Sequence, residues 1–279
     1  LKHMYGTQRA AEGWQSEYSG TLVDKLGFQQ GIACPCMFVQ AERDIVITVH
    51  GDDFTAVGPK RQLDWYESML EKSYELTKGG RLGPGASDAK EASCLNRIVR
   101  WCDAGLEYEA DPRQAEKLIE ELQFDDGVNS CVTPGVKIGQ SQIDEDKPLN
   151  AERHTLFRAL AARANYLAAD RPGCQFAAKE VCRWMSAPTE LAMSALKRLA
   201  RYLLGRPRLV FTYPFQAAGC VDAYSDTDWA GCPKTRKSTS GAVILLGSHI
   251  LKTYASTQPT ISLSSGEAEF YGVVRATGA

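Results

Sequence analysis

The sequence predicts an α+β fold, and three observations carry that expectation. An early stretch alternates apolar and polar residues on both sides of "HGDD" (50–53), the two-residue period of half-buried strands. The middle of the chain changes to helical spacing, with Leu156, Leu160, Ala164 and Leu167 on one stripe and Leu196, Leu199 and Leu203 on another. Beyond Gly219 the pattern returns to strands before a final helical run. With 279 residues, 44% of them hydrophobic, there is material for one large core or two ordinary ones.

Taken in order, residues 1–30 read as helix, with Leu22, Val23, Leu26 and Phe28 apolar before a break at Gly31. Strands follow over 37–39, 44–49 and 54–57. "PKRQLDWYESMLEKSY" is helical through Leu63, Tyr66, Met69 and Leu70, with Pro59 near its start. "GGRLGPGASDAKEAS" is a Gly-rich loop, followed by short strands over 95–101 and 105–109 and a helix over 112–122. Residues 125–150 hold Gly, Pro, Ser and acids without a period and read as a linker. Three helices come next, over 154–169, 176–185 and 189–204. Thr189 caps the last of these and Gly205 ends it. Strands over 220–225, 242–246 and 250–254 lead to a helix that opens with Ser264 and Glu267 at capping-box spacing. The boundaries suggested are 1–124, a linker 125–150, a helical segment 151–210 and a last domain 219–279.

The net charge of −2 points to no partner class, but the charges are unevenly placed. Acids dominate 101–150, whereas Arg153, Arg158, Arg163, Arg171, Lys179, Arg183, Lys197, Arg198, Arg201, Arg206 and Arg208 crowd 151–210. Such a segment is either a polyanion footprint or an ordinary solvated helix face. The nine cysteines form no pair of CxxC knuckles. Cys34-x-Cys36 is too tight for the usual zinc spacing and lacks a nearby His, so reduced intracellular thiols are expected. No apolar run reaches the ~18 residues of a membrane span. The chain starts at Leu1 and stops at "VVRATGA" within a helical pattern, so both ends read as interior to something longer.

Asp52 and Asp53 sit side by side at the tip of a hairpin. In a two-residue type II′ turn the first central residue takes φ > 0, which suits Gly51. The neighbouring carboxylates would then project from opposite faces of the strand end. Adjacent like charges invite a hard divalent cation with oxygen ligands; a surface turn using Asp for its turn chemistry accounts for them equally simply. His50 beside them is either a titratable group at the site or a strand-end packing residue.

"HGDD" between apolar strands resembles the paired-Asp hairpin of reverse transcriptases. More of the chain agrees, in order, with copia-type LTR retrotransposon Pol polyproteins. Tyr5-Gly6, Ala10 and Trp14 resemble that family's nucleotide-pocket block. Arg171-Pro172, Arg183, Met185, Pro188-Thr189, Lys197-Arg198 and Arg201-Tyr202-Leu203 resemble its connecting segment. "YSDTDWAGCPKTRKSTSGAVILLG" (224–247) and "LSSGEAEFYG" (263–272) are similar to the start of its RNase H domain. The resemblance runs nearly end to end and is weakest over 79–150. It implies a partial reverse-transcriptase palm with helices, a helical thumb and connection, and a truncated RNase H-like mixed sheet with a helix.

On that resemblance, Asp52 and Asp53 are polymerase carboxylates and Asp226 and Glu269 are RNase H carboxylates, each set holding Mg²⁺ (or Mn²⁺) for two-metal phosphoryl transfer. A third polymerase acid would lie upstream and further RNase H acids downstream. Asp228 is an outer ligand or a solvated acid, and Glu267 a capping acid. Tyr5, Gly6 and Arg9 fall in the nucleotide pocket, where Arg9 replaces a Gln; His50 replaces the hairpin Tyr. Both departures bear on dNTP binding. Lys197, Arg198, Arg201, Arg236 and Lys237 would contact the backbone of an RNA/DNA hybrid. In the loop of Arg236, Ser238 and Ser240 either donate to phosphate or bond to the loop's own backbone. The implied partners are RNA template, DNA primer, dNTP and the rest of the Pol polyprotein, in a cytoplasmic particle or the nucleus. A decayed or co-opted copy that only binds nucleic acid is the alternative.

Overall fold

The computed structural model describes residues 6–124, 127–217 and 219–279. The chain packs as two compact units, 1–79 and 80–279. The sequence boundary at 124 therefore lies inside the second unit.

In the first unit α1 (Gln8–Gly20) starts at Thr7, whose hydroxyl accepts from the Ala10 amide at 3.3 Å. It widens into a π turn (Thr21–Lys25) and stops at Gly27, where φ is +72°. The helix expected to run to residue 30 thus ends earlier, and Gln29–Gln30 becomes β1. With β2 (Met37–Gln40), β3 (Ile45–His50) and β4 (Asp53–Val57) it forms an antiparallel sheet in chain order. Ile45, Ile47 and Val49 alternate onto one face. There they meet Leu22 and Leu26 behind α1, Phe28, Phe38, and Tyr66 and Leu70 of α2 (Lys60–Leu70). Each large side chain buried this way contributes about 1.5–3 kcal/mol.

The second unit opens with a four-stranded antiparallel sheet. Its strands are β5 (Glu91–Cys94), β6 (Arg97–Cys102), β7 (Gly105–Glu109) and β8 (Val210–Pro214). The sequence reading lacked β5 and β8. Neither has a period of its own, and β8 is a strand because β7 pairs with it from Gly105↔Pro214 to Glu109↔Val210. Between β7 and β8 lie α3 (Pro112–Glu121), α5 (Ala151–Ala168), α6 (Gln175–Cys182) and α7 (Glu190–Gly205). Leu118, Phe157, Leu160, Val181, Leu196, Leu199 and Leu203 fill the space they enclose. Thr189 caps α7 as expected, accepting from the Ala192 amide at 3.2 Å.

The expected linker is packed rather than free. It contains α4 (Gln140–Asp144), and Leu149 is buried in the helical core. Leu149 N donates to the Pro188 carbonyl at 3.0 Å, and Asp146 accepts from Leu191 N at 3.0 Å. Asp125 and Asp126 lie outside the described residues.

The last elements are β9 (Val221–Asp228), β10 (Thr239–Leu246), β11 (His249–Thr257) and α8 (Ser265–Thr277). A mixed sheet was expected, but the described strands pair only antiparallel, in order β11-β10-β9, because each follows its neighbour by a hairpin or loop. α8 packs on β9 and β10, and α6 packs on β11. Ser264 caps α8 by accepting from Glu267 N at 3.1 Å, while Glu267 reaches back to Leu263 N at 2.7 Å.

Candidate functional site

The β3–β4 hairpin forms as its sequence dictates. His50 pairs with Asp53, so Gly51 and Asp52 are the two turn residues. Gly51 has φ +64°, and Asp52 is not among the positive-φ residues, the pattern of a type II′ turn. His50, Asp52 and Asp53 are all exposed. The turn is held from α1: Trp14 Nε1 donates to the Gly51 carbonyl at 2.7 Å. The indole meets Tyr18, Phe54 and Tyr74 edge-on at centroid distances of 5.7, 6.3 and 5.3 Å. Sequence reasoning missed this bond, because a Trp in a helix gives no sign of a carbonyl partner 37 residues away. Within the same block Gly6 and Arg9 are exposed, Gly6 at φ +85° and Arg9 in the first turn of α1. Tyr5 lies outside the described residues.

In the last sheet Asp226 opposes Gly241 and Asp228 opposes Thr239. Thr239 accepts from Lys179 of α6 at 2.7 Å, and Asp228 lies 3.4 Å from Lys137. The intervening Thr227 belongs to the other face, where its hydroxyl donates to the Ala268 carbonyl of α8 at 3.3 Å. Alternation therefore turns Asp226 and Asp228 away from α8, although Glu269 follows Ala268 directly. The packing brings the elements of Asp226 and Glu269 together and starts their side chains from opposite faces of β9. Asp226 is exposed and Glu269 half-buried.

The signature loop resolves one open alternative. Ser238 and Ser240 are buried, Ser238 accepting from Ala230 N at 3.0 Å and Ser240 from Gln258 Nε2 at 2.9 Å. Gln258 also donates to the Ala268 carbonyl at 2.9 Å and accepts from Ser262 at 2.8 Å. The two serines thus tie the loop and α8 to the sheet, and burial removes them as phosphate donors. Arg236, at φ +56°, is exposed and Lys237 is half-buried.

Among the basic residues of α7, only Lys197 is exposed. Arg198 donates to the Thr133 hydroxyl at 2.7 Å and Arg201 to the Asn129 carbonyl at 2.7 Å, so both fasten the segment before α4. All three line a cavity of about 610 Å³ with Leu122, Phe124 and Ile138. One buried acid and one half-buried acid also went unnoticed in the sequence. Arg208 first, then Arg100, hold the Glu109 carboxyl down to about 2. Asp170 accepts from Tyr108 at 2.5 Å and from Arg97 at 3.0 Å. These are structural pairs between β-strands and helix ends.

Among the described residues no three His, Cys, Asp or Glu side chains gather closely enough to hold a metal ion. Carboxylates are the right donors for Mg²⁺, which favours near-octahedral oxygen coordination. They are right in kind and too few in one place. No helix among the described residues is long and apolar enough to cross a membrane.

Comparison with known proteins shows what these elements are similar to. No protein-family model matches the chain, and no solved structure matches it. Among curated proteins it is 38% identical over 114 residues, 41% of this chain, to the uncharacterized mitochondrial protein AtMg00810 of Arabidopsis thaliana. It is 35% identical over 119 residues, 43% of this chain, to the retrovirus-related Pol polyprotein from transposon RE1 of the same plant. The Pol polyprotein from transposon TNT 1-94 of Nicotiana tabacum aligns along 96% of this chain at 21% identity. The matched stretches span 48%, 8% and 20% of those relatives, respectively. The chain is therefore similar to parts of retrovirus-related Pol polyproteins from transposons, spanning less than half the length of each of these relatives.

Proposed function

We propose that this chain is the part of a retrotransposon RNA-directed DNA polymerase that carries the paired-acid hairpin, the helical connection and the first strands and helix of an RNase H domain. The observation that carries the reading is the exposed pair of Asp52, in the two-residue turn fastened by Trp14, and Asp53, which opens β4. Trp14 belongs to the stretch that resembles the nucleotide-pocket block, so the element that would receive a dNTP and the element that would hold metal are bonded together. Rigid presentation of acids at a strand end is what a polymerase centre requires of this segment.

Asp52 and Asp53 are the polymerase acids of this reading, and Asp226 and Glu269 the RNase H acids. Mg²⁺ or Mn²⁺ belongs to the complete centres. The two or fewer acids gathered at each place here are an incomplete ligand set, and no step through metal is derived for the chain alone. RNA template, DNA primer and RNA/DNA hybrid are the proposed partners, with exposed Lys197 and Arg236 as backbone contacts. Arg198 and Arg201 are half-buried and each already gives one guanidinium donor to the chain, to Thr133 and Asn129.

The isolated chain is expected to extend no primed RNA template and to cleave no RNA/DNA hybrid in Mg²⁺. Binding to the hybrid should weaken as salt rises, since backbone contacts release counterions. Robust turnover that Asp226→Asn abolishes would overturn the incomplete-centre reading. Arg9 and His50, at positions the family fills with Gln and Tyr, favour a second reading of a copy that only binds nucleic acid. Supplying the flanking Pol segments separates the two: activity returns under the first and stays absent under the second.

A further inference from the structure

The turn that enters β2 carries a cysteine pair that the nucleic-acid reading does not use. Cys34, Pro35, Cys36 and Met37 form a β-turn closed by Met37 N donating to the Cys34 carbonyl at 3.0 Å. Pro35 occupies its second position, where a ring that fixes φ at about −65° favours the turn. Three further bonds hold the backbone. Gln30 Nε2 donates to the Pro35 carbonyl at 2.6 Å, Gly31 N to the Met37 carbonyl at 2.8 Å and Val49 N to the Cys36 carbonyl at 2.9 Å. A Cβ on Gly31 would lie 2.7 Å from the Cys34 carbonyl oxygen, so the loop is closely packed.

This frame sets the two sulfurs 3.3 Å apart, in hydrogen-bond contact. Cys34 is exposed and Cys36 half-exposed. Contact with the Cys34 thiol pushes the Cys36 thiol up, and its exposure makes Cys34 the first nucleophile. Two thiols with the reach and access for exchange, on a turn already bent to bring them together, are the geometry of a dithiol that oxidises within itself.

We propose that Cys34 and Cys36 are a redox-active dithiol that closes to an intramolecular disulfide by exchange with a small-molecule disulfide such as oxidised glutathione. The Cys34 thiolate attacks one glutathione sulfur; the glutathione S–S bond breaks and one glutathione thiolate leaves. The Cys36 thiolate then attacks Cys34 Sγ, forming the Cys34–Cys36 bond and expelling the second glutathione thiolate. The two cysteines lose two electrons and two protons, and one oxidised glutathione becomes two reduced ones. Because Val49 bonds Cys36 and directly precedes His50, the disulfide stiffens the sheet end that carries Asp52 and Asp53. The proposal stands whether or not the chain acts on nucleic acid.

The test is mass mapping of the native full chain, treated with oxidised glutathione at a concentration that modifies the exposed single thiol of Cys220. Trypsin releases both cysteines in the peptide 26–43. The expected peptide has lost two hydrogen atoms, carries no adduct and regains the hydrogens with a dithiol reductant. Cys34→Ser and Cys36→Ser should each retain a glutathione adduct on the remaining cysteine. A wild-type peptide that stays reduced, or that keeps adducts instead of closing, while Cys220 is modified would overturn the proposal.

Discussion

The β1–β4 sheet and the β9–β11 sheet are both antiparallel, both hairpin-built and both carry a candidate acid near a strand end, yet they are held together differently. The first closes on large apolar side chains: Phe28, Phe38, Ile45, Ile47 and Leu22 are almost wholly buried, with aromatic rings meeting edge-on around Tyr18. The second is joined to α8 by small and polar groups. Ala268, Gly272 and Ala276 face the sheet, with Ser240, Gln258 and Ser262 buried in one hydrogen-bonded network. Two of its large apolar side chains point outward, Tyr224 at 63% and Phe270 at 64% exposure, whereas Ile244 is buried. A site placed on the first sheet rests on packing enthalpy and apolar burial, whereas one placed on the second depends on exact polar pairing.

The strongest way to break this contrast is Phe38→Ala. Loss of a fully buried ring that meets Tyr18 at 6.0 Å should destabilise the first unit by about 3–5 kcal/mol, read from its urea midpoint. An effect below about 1 kcal/mol would mean that the ring packing is not what holds that sheet. A smaller effect is expected from Gln258→Leu, which strands the buried Ser240 and Ser262 hydroxyls while the Ala268 carbonyl keeps Thr227. The cost should be about 1–3 kcal/mol. Amide exchange in β10 and α8 should quicken while β3 stays protected; equal quickening in both sheets would erase the distinction. The least effect is expected from Trp14→Phe, which keeps a ring and removes the donor to Gly51. It should cost about 0.5–1.5 kcal/mol and speed exchange chiefly at the β3–β4 turn. Unchanged turn exchange would show that the hairpin is rigid without α1.

The hairpin was legible in the sequence because its determinants are local. Ile45, Ile47 and Val49 give the alternation, and only Gly51 suits the positive φ that the turn demands. The Thr189 and Ser264 caps were legible for the same reason. The β8 strand was not, since Val210–Pro214 becomes a strand through pairing with β7. Nor was the engagement of Arg198 and Arg201, whose acceptors lie in a stretch without periodicity. Ser238 and Ser240 left two alternatives open until burial decided between them.

By itself, the sequence determined most of the long helices and the strands with a period of their own, the turn that presents Asp52 and Asp53, and the motifs that resemble Pol polyproteins. Those features depend on backbone preference and on residues a few positions apart. Tertiary structure decided which charges are already engaged, which face Asp226 takes relative to α8, and that two cysteine sulfurs touch. Such facts turn on distances between groups that chain connectivity leaves free and that only packing brings within reach.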